Sequence, residues 1–312
     1  MIQEAVAPGR RRRSLEEASG ERGLLSPLER RRVSIRVGYW ALFGALALLT
    51  LTTIFPLYWM VSGGLKTAVE VVQPRQALIP PHPQWSTYAE AWGDLHYATY
   101  FTNTLLLAAG AWVLQMAISA TAAFALSKLR PAFGNVLLGL FLSTLLVPPV
   151  AYLIPQYLNI DRLPLAHLNL VGTWWGVWLP EAVNAFNLFV LKSFFDGIPD
   201  ELVEAARLDG ANAWRIFMSI IAPLSRSALA VVTIITVMSS WKDFLWPYIV
   251  LTDPSKQPIM VGLYRNFAQQ TFFPVNTEMA ALTIASIPPI VLFLVFQRQI
   301  IRGIALTGLT GS

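Results

Sequence analysis

The chain has 312 residues, of which 55% are hydrophobic and 13% are charged, whereas roughly a quarter of the residues in a soluble domain are charged. This composition, with a mean hydropathy of +0.52, excludes an ordinary soluble fold and predicts an all-α integral membrane protein. The sequence has no cysteine and only three histidines, so a disulfide framework is excluded and no metal site is expected.

Residues 1–36 are polar, rich in arginine and without a hydrophobic period, which predicts a disordered cytoplasmic tail. The tail's positive charge favours an orientation signal for the first span, and contact with anionic lipid headgroups is the alternative. The apolar stretch behind the tail is too long for the core of a cleaved signal peptide.

Six stretches are long and apolar enough to cross a bilayer, which takes about 20 residues as a helix. They comprise residues 37–62, 104–127, 136–158, 171–189, 228–251 and 279–296. We therefore predict a membrane domain with six transmembrane helices over residues 37–304, followed by a short cytoplasmic tail at residues 305–312. A cytoplasmic loop at about residues 193–226 separates the fourth and fifth spans.

Most of the 23 lysines and arginines lie on one side of these spans. They occupy the N-terminal tail, the C-terminus, the loop with Lys128 and Arg130, and the loop at residues 193–226. The positive-inside rule then places both termini in the cytoplasm. The three histidines fall in the opposite loops, far apart along the chain, as ordinary loop residues.

Residues 193–226 carry the strongest local signals in the chain. Pro199 suits a first helical position, and the acidic residues Asp200 and Glu201 complement the positive end of a helix dipole. Asp209 and Gly210 predict a turn, because glycine adopts positive φ freely. Asn212 after the turn can cap a second short helix that runs toward Pro223. The loop is thus predicted to be a cytoplasmic helix-turn-helix.

The first of these helices has the features of a docking surface. Its small residues Ala205 and Ala206 permit close approach by a partner, and Glu201 and Glu204 beside them can meet basic groups on it. The alternative is an amphipathic loop that lies on the membrane surface.

The motif of this loop resembles that of the membrane-spanning subunits of binding-protein-dependent ABC importers, whose pattern is Glu-Ala-Ala, Gly, then Ile-x-Leu-Pro. Here the pattern is Glu204-Ala205-Ala206, Gly210, Ile220 and Ala222-Pro223, with alanine in place of the leucine. The resemblance to the maltose-permease-like branch extends over residues 37–304. It is carried by Phe55 to Met60 with Leu65-Lys66-Thr67, Tyr100 to Thr104, Trp241, Phe244 to Pro247, Ile249 to Leu251, Phe296 to Arg298, and Arg302-Gly303.

The resemblance implies a permease subunit of an ATP-driven importer in a bacterial or archaeal cytoplasmic membrane. Implied partners are a second homologous permease, two ATP-binding subunits, an extracytoplasmic solute-binding protein and membrane lipid, with no nucleic acid. The coupling residues it implies toward the ATPase are Glu201, Glu204, Ala205, Ala206, Asp209, Gly210 and Pro223. The chain is expected not to be an enzyme, since it lacks a Gly-x-x-x-x-Gly-Lys-Ser/Thr sequence. ATP and Mg would be bound by the partner ATPase subunits.

The resemblance further implies a carbohydrate as the solute, either a sugar or a sugar derivative. A non-sugar solute such as glycerol phosphate or a polyamine, carried by the same machinery, is the alternative. An ion-gradient-driven transporter would need intramembrane carboxylates but no docking loop. An integral-membrane enzyme would need a convergent cluster of acid, base or metal residues.

Ionisable residues inside the spans are candidates for the translocation path, because their burial in lipid is costly. The ionisable candidates are Glu181, Lys242 and Asp243, and Asn184 and Trp241 are further candidates for the path. Lys242 and Asp243 are neighbours offset by about 100° on a helix, so a simple pair between them is not expected. Lys242 alternatively extends toward the outer interface, and Glu181 alternatively bonds to a neighbouring helix.

Two proline pairs are predicted to interrupt and bend helices. Pro148 and Pro149 lie in the third span, and Pro288 and Pro289 lie in the sixth. Proline removes a backbone donor and frees carbonyl groups in the preceding turn. Such kinks contribute to gating in transporters, and they are also common in static helix bundles.

Overall fold

The structure is a computed structural model that describes residues 33–75, 77–94, 96–164, 167–269 and 273–308. Every regular element in these ranges is helical. Most of the predicted tail at residues 1–36 and half of that at residues 305–312 lie outside the described residues. The chain forms two compact units, which meet in sequence between Trp59 and Met60.

The first unit consists, in its described part, of helix α1 (Val33–Gly64) up to Trp59. Its hydrophobic side chains are exposed all round, as expected of a helix whose solvent is lipid. The Phe55 and Trp59 rings pack 5.7 Å apart one turn from each other. Pro56 lies inside the helix without ending it.

The second unit contains the remaining described helices. They are α2 (Ala68–Val72), α3 (Ser86–Asp94), α4 (Tyr97–Phe124), α5 (Gly134–Thr144), α6 (Pro149–Asp161), α7 (Trp174–Glu181), α8 (Ala185–Asp196), α9 (Asp200–Leu208), α10 (Ala213–Ile216), α11 (Ala222–Leu224), α12 (Arg226–Lys242), α13 (Leu245–Val250), α14 (Ile259–Tyr264) and α15 (Val275–Gly308). Short π-helical turns follow α4, α10 and α14, at Ala125–Leu129, Phe217–Ile221 and Arg265–Gln269.

Side chains cap several of these helix starts. Thr67 and Glu70 form a reciprocal capping box at α2. Thr173 accepts a hydrogen bond from a backbone N–H of α7, and Asn184 and Asn212 do the same for α8 and α10. These caps satisfy amide groups that have no partner inside the helix. The short helices of the second unit therefore begin at residues fixed by local chemistry.

Three helices of the described chain are long and apolar enough to cross a membrane without interruption, at Arg36–Gly64, Tyr97–Leu129 and Val275–Gln297. They correspond to the first, second and sixth predicted spans. Two bent pairs raise the number to five if each is one span: α5 with α6, bent by 105°, and Ala213–Leu224 with α12, bent by 83°. The predicted fourth span is divided into α7 and α8, so the count of six stays a prediction.

The two proline pairs differ. The break between α5 and α6 ends at Pro149, where the missing N–H of proline costs nothing. At Pro288 and Pro289 α15 continues through both residues without interruption, and the kink expected there stays a prediction. A helix can absorb a proline by bending and sharing its freed carbonyls with neighbours, without unwinding.

The second unit is built around α4, which packs against α8 and α12, while α12 also packs against α15. One hydrophobic cluster joins the end of α4 to α8, α9, the π-helical turn after α10, and α12. It includes Phe124, Phe195, Val203, Ile216 and Phe217. This cluster anchors the loop between α8 and α12 to the membrane helices.

Candidate functional site

Helix α9 begins where the sequence predicts it. Pro199 is the residue before the first helical position, and Asp200 and Glu201 form the acidic first turn. Arg207 lies in the last turn, so both ends carry charges that complement the helix dipole. The predicted first helix is confirmed, with its start shifted by one residue.

The turn after α9 is a Schellman motif. The Ala211 N–H donates to the Ala206 carbonyl at 2.9 Å, and the Gly210 N–H donates to the Arg207 carbonyl at 3.0 Å. Gly210 has φ of +81°, and a Cβ built on it would meet no atom within 4 Å. The need for glycine therefore comes from backbone conformation rather than from crowding. Asn212 then caps α10 by accepting a hydrogen bond from the Arg215 N–H at 2.8 Å.

Helix α9 has an inner and an outer face. Val203 on the inner face is buried in the cluster shared with α4, α8 and α12, and Ala206 packs against that cluster. We call Glu201, Glu204, Ala205 and Leu208 the outer face of α9; all four are exposed, and Leu208 is 90% exposed. An isolated apolar side chain so exposed, between two carboxylates and an alanine, is typical of a contact surface.

The start of α9 is attached to the end of α4 by a buried lysine. Lys128 Nζ donates to the Ile198 carbonyl oxygen at 2.6 Å and to Asp200 Oδ1 at 2.7 Å. Arg130 Nη2 donates to Asp200 Oδ2 at 2.6 Å. The hydrogen bond from Lys128, helped by the charges of Lys128 and Arg130, lowers the pKa of Asp200 below its ordinary value. Asp200 is therefore held as a carboxylate.

A cleft of about 220 Å³ lies beside this ion pair. It is lined by Lys128, Leu129, Arg130, Asp200, Val203, Glu204 and Arg207. The cleft thus runs along α9 between its inner and outer faces, with charges of both signs. From sequence, Lys128 and Arg130 are predicted only as charges that orient the spans, since nothing local to them signals a partner 72 and 70 residues away.

The end of the motif lies where the chain enters α12. The π-helical turn Phe217–Ile221 leads into α11 (Ala222–Leu224), and Pro223 is exposed in that short helix. The bend of 83° between this stretch and α12 follows directly after it. Pro223 therefore lies at the joint between the loop and a membrane helix.

Two candidate path residues come together at helix breaks. Glu181 ends α7 and Asp243 follows α12, and their half-buried carboxyl groups interact electrostatically. Lys242 is exposed and takes part in none of the ion pairs among the described residues. The expectation that Lys242 and Asp243 do not form a simple pair agrees with this geometry.

The other two path candidates make contacts within the helix bundle. Asn184 is the cap of α8, where its side-chain oxygen accepts a hydrogen bond from the Asn187 N–H at 3.0 Å. Trp241 is buried, and its indole N–H donates to the Ala285 carbonyl of α15 at 3.2 Å. The structure does not bring them into contact with the Glu181 and Asp243 pair through any described hydrogen bond.

A buried polar network, which the sequence did not predict, joins three membrane helices. Asn187 Nδ2 donates to Gln115 Oε1 at 2.9 Å and to Thr236 Oγ1 at 3.0 Å. Thr236 Oγ1 donates to Gln115 Oε1 at 3.2 Å. Uncharged polar side chains inside apolar spans were the available signal, since they bond between helices in lipid.

The chain is similar to known transport proteins. The family of the binding-protein-dependent transport system inner membrane component matches residues 115–306. The sn-glycerol-3-phosphate transport system permease protein UgpE of Yersinia pestis bv. Antiqua is 31% identical over 262 residues, covering 81% of this chain and 91% of the relative. The diacetylchitobiose uptake system permease protein NgcG of Streptomyces coelicolor is 28% identical, covering 82% of this chain and 83% of the relative.

One solved structure has the same fold over most of the chain. It is a bacterial ABC transporter involved in the import of the acidic polysaccharide alginate, and one of its chains matches with a TM-score of 0.78 at 26% identity. The match covers 86% of this chain and 98% of the other.

Proposed function

We propose that this chain, which belongs to the family of binding-protein-dependent transport system inner membrane components, forms the solute pathway of an ATP-driven importer. A second permease would complete the pathway, and two ATP-binding subunits would supply the energy. An extracytoplasmic binding protein would deliver the solute. In this arrangement both termini and the loop between α8 and α12 face the cytoplasm of a bacterial or archaeal cell.

The observation that carries this proposal is the exposed outer face of α9 on a rigidly attached helix. Its inner face is fixed by Val203 in a hydrophobic cluster, its start by Lys128, and its end by a Schellman turn at Gly210. A helix so held can transmit a force that is applied to its outer face. A loop that merely lay on the membrane surface would bury apolar residues in lipid and would need no such attachment.

The outer face also fits an ATP-binding subunit in its chemistry. Leu208 offers an apolar side chain for a pocket, and Glu201 and Glu204 offer carboxylates for basic side chains. Ala205 between them lets the partner's backbone approach. Closure of the ATP-binding subunits would move α9, and through it the helices that line the pathway. ATP hydrolysis would then belong to the partner and not to this chain.

We propose an uncharged carbohydrate as the solute. The relatives' names point both to carbohydrates and to glycerol 3-phosphate. The paired carboxyl groups of Glu181 and Asp243 support the former, because carboxyl oxygens accept hydrogen bonds from hydroxyl groups and repel phosphate. Glycerol phosphate carried by the same machinery is the alternative.

The test is uptake into proteoliposomes that contain the chain with its partner permease, ATP-binding and solute-binding subunits. The solutes compared are diacetylchitobiose, alginate oligosaccharides and sn-glycerol 3-phosphate. We expect uptake to require ATP on the side of the membrane where the ATP-binding subunits lie. Among the three solutes, we expect the uncharged sugar to be taken up best. The control is a complex whose ATP-binding subunit cannot hydrolyse ATP. Uptake that follows an ion gradient and ignores ATP would overturn the proposal.

A further inference from the structure

Residue 128 contacts both ends of α9. Its side chain, which is 1% exposed, bonds to the Ile198 carbonyl and to Asp200 at the start of the helix. Its backbone carbonyl accepts a longer hydrogen bond, 3.5 Å, from Arg207 Nη2 in the last turn. The π-helical turn after α4 is therefore hydrogen-bonded to both the first and the last turn of α9.

The fastening resists separation. If the buried ammonium group of Lys128 lost its carboxylate partner, no water could take the place of that partner. Separating this pair therefore costs more free energy than separating an ion pair on the surface. Arg130 adds a second cation on the other oxygen of Asp200. By contrast, the Lys192 and Asp196 pair, also 2.6 Å long, joins two residues of the same helix and links no separate elements.

On its N-terminal side α9 is joined to α8 by residues 197–199 alone. On its C-terminal side the covalent route from α9 to α12 is less direct. The chain passes through the turn at Gly210, then α10, a π-helical turn and α11, before the 83° bend into α12. Each of these joints can absorb a displacement. The contact of Lys128 leads from α9 straight to α4, the helix around which α8 and α12 pack.

Resting on the proposed function, we infer that Lys128 is the positioning residue that makes α9 and the end of α4 move as one body. A displacement of α9 by the ATP-binding subunit then reaches α4 directly. The lysine contributes to neither nucleotide nor solute binding. Its loss loosens α9 from α4, leaving the two elements joined by the hydrophobic cluster around Val203, and does not remove the docking surface.

The experiment measures the distance between spin labels on the two elements in the assembled complex. The labels are placed by Leu129→Cys and Leu202→Cys, at side chains that are 46% and 44% exposed, in a chain that has no cysteine of its own. The partner subunits are used in cysteine-free form. Distances are compared between the nucleotide-free state and the state trapped with ATP and vanadate.

We expect one narrow distance distribution, the same in both states, for the otherwise unaltered chain. Lys128→Met should broaden the distribution and make it differ between the states, while ATP hydrolysis by the complex continues. Lys128→Arg should restore the narrow distribution, because it returns a cation to Asp200. Lys192→Met is the matched control and should leave the distribution unchanged.

Asp200→Asn provides a second test if the methionine variant does not assemble, since it keeps Lys128 and its bond to Ile198. It should broaden the distribution to a smaller extent. Unchanged distances in both Lys128→Met and Asp200→Asn would overturn the inference, as would a shift between states in the unaltered chain. A complex without any ATP-binding subunit, or one that traps no nucleotide, would instead overturn the proposed function and the inference with it.

Discussion

Charged side chains lie against apolar helices in two regions of the second unit, and the two regions differ in the sign of the charges they combine. At the α9 loop, the buried cation of Lys128 meets the carboxylate of Asp200. At the breaks after α7 and α12, two carboxyl groups, Glu181 and Asp243, meet each other. In the first arrangement the opposite charges satisfy each other and hold α9 against the end of α4. The second leaves acceptor groups available for a ligand with hydroxyl donors.

The two regions therefore have different expected roles: the α9 loop in coupling to the ATP-binding subunit, and the carboxyl pair in contact with the solute. The α9 loop is regular, capped and attached, which suits transmission of force. The breaks interrupt helices inside the predicted spans, and irregular backbone at that depth is tolerated where it lines a cavity or is buried in protein. Variants of the loop should affect coupling, whereas variants of the carboxyl pair should affect the solute.

The largest effect is expected from the turn that ends α9. Gly210→Val places a β-branched residue at φ of +81°, which costs about 1–2 kcal/mol in the turn and disfavours the Schellman motif. Uptake by the complex should fall about tenfold or more while ATP hydrolysis persists. Gly210→Asn is the matched control, because asparagine tolerates this conformation, and it should keep most of the uptake. Full uptake in the valine variant would count against transmission through α9.

A smaller effect, on the apparent affinity for the solute alone, is expected from variants of the carboxyl pair. Glu181→Gln and Asp243→Asn should each raise the KM for uptake about tenfold, the cost of weakening a charged hydrogen bond. Coupling between ATP hydrolysis and uptake should stay as it is. Lys242→Met, at the exposed neighbour, is the control and should change the KM by less than about twofold. An unchanged KM in both variants would show that Glu181 and Asp243 do not contact the solute.

The polar network between α4, α8 and α12 should affect the stability of the complex, but neither coupling nor solute binding. Asn187→Leu removes the side chain that bonds to Gln115 and Thr236 and should lower the stability of the purified complex by about 1 kcal/mol. A thermal denaturation curve in detergent measures this. Thr236→Val removes one member only and should have a smaller effect. A loss of coupling at full stability would show that the network transmits force as well.

The smallest effect is expected from pH. The lowered pKa of Asp200 means that its contribution is present above its ordinary value of 3.8 and is lost as the pH falls through the lower value of the folded state. The spin-label distance between positions 129 and 202 should thus stay constant from neutral pH down to about 5. Broadening already near neutral pH would contradict the assigned ion pair.

Local signals explain how much of the α9 loop was predictable from sequence. Pro199, Asp200, Gly210 and Asn212 each act on the backbone within a few residues, and the helix, the turn and the cap lie where those residues predict them. Family membership was also predictable, because its motif lies in the same short stretch. The apolar runs predicted all three of the uninterrupted membrane helices among the described residues.

The contacts between distant residues were not predictable. Lys128 and Asp200, like Glu181 and Asp243, lie tens of residues apart and meet only because α4, α8 and α12 pack together. Composition also could not tell a broken span from a continuous one. The prolines at 148 and 149 accompany a break, whereas the prolines at 288 and 289 lie within a continuous helix.

The most direct test of the account is photo-crosslinking from the outer face of α9 in native membranes. A photo-reactive residue replaces Leu208, which is 90% exposed, and in a separate control it replaces Leu146, which is 85% exposed between α5 and α6. The account predicts an adduct with an ATP-binding subunit, identified by mass spectrometry, from position 208 and none from position 146. Adducts with lipid alone at position 208, in a complex that contains the ATP-binding subunit, would contradict it.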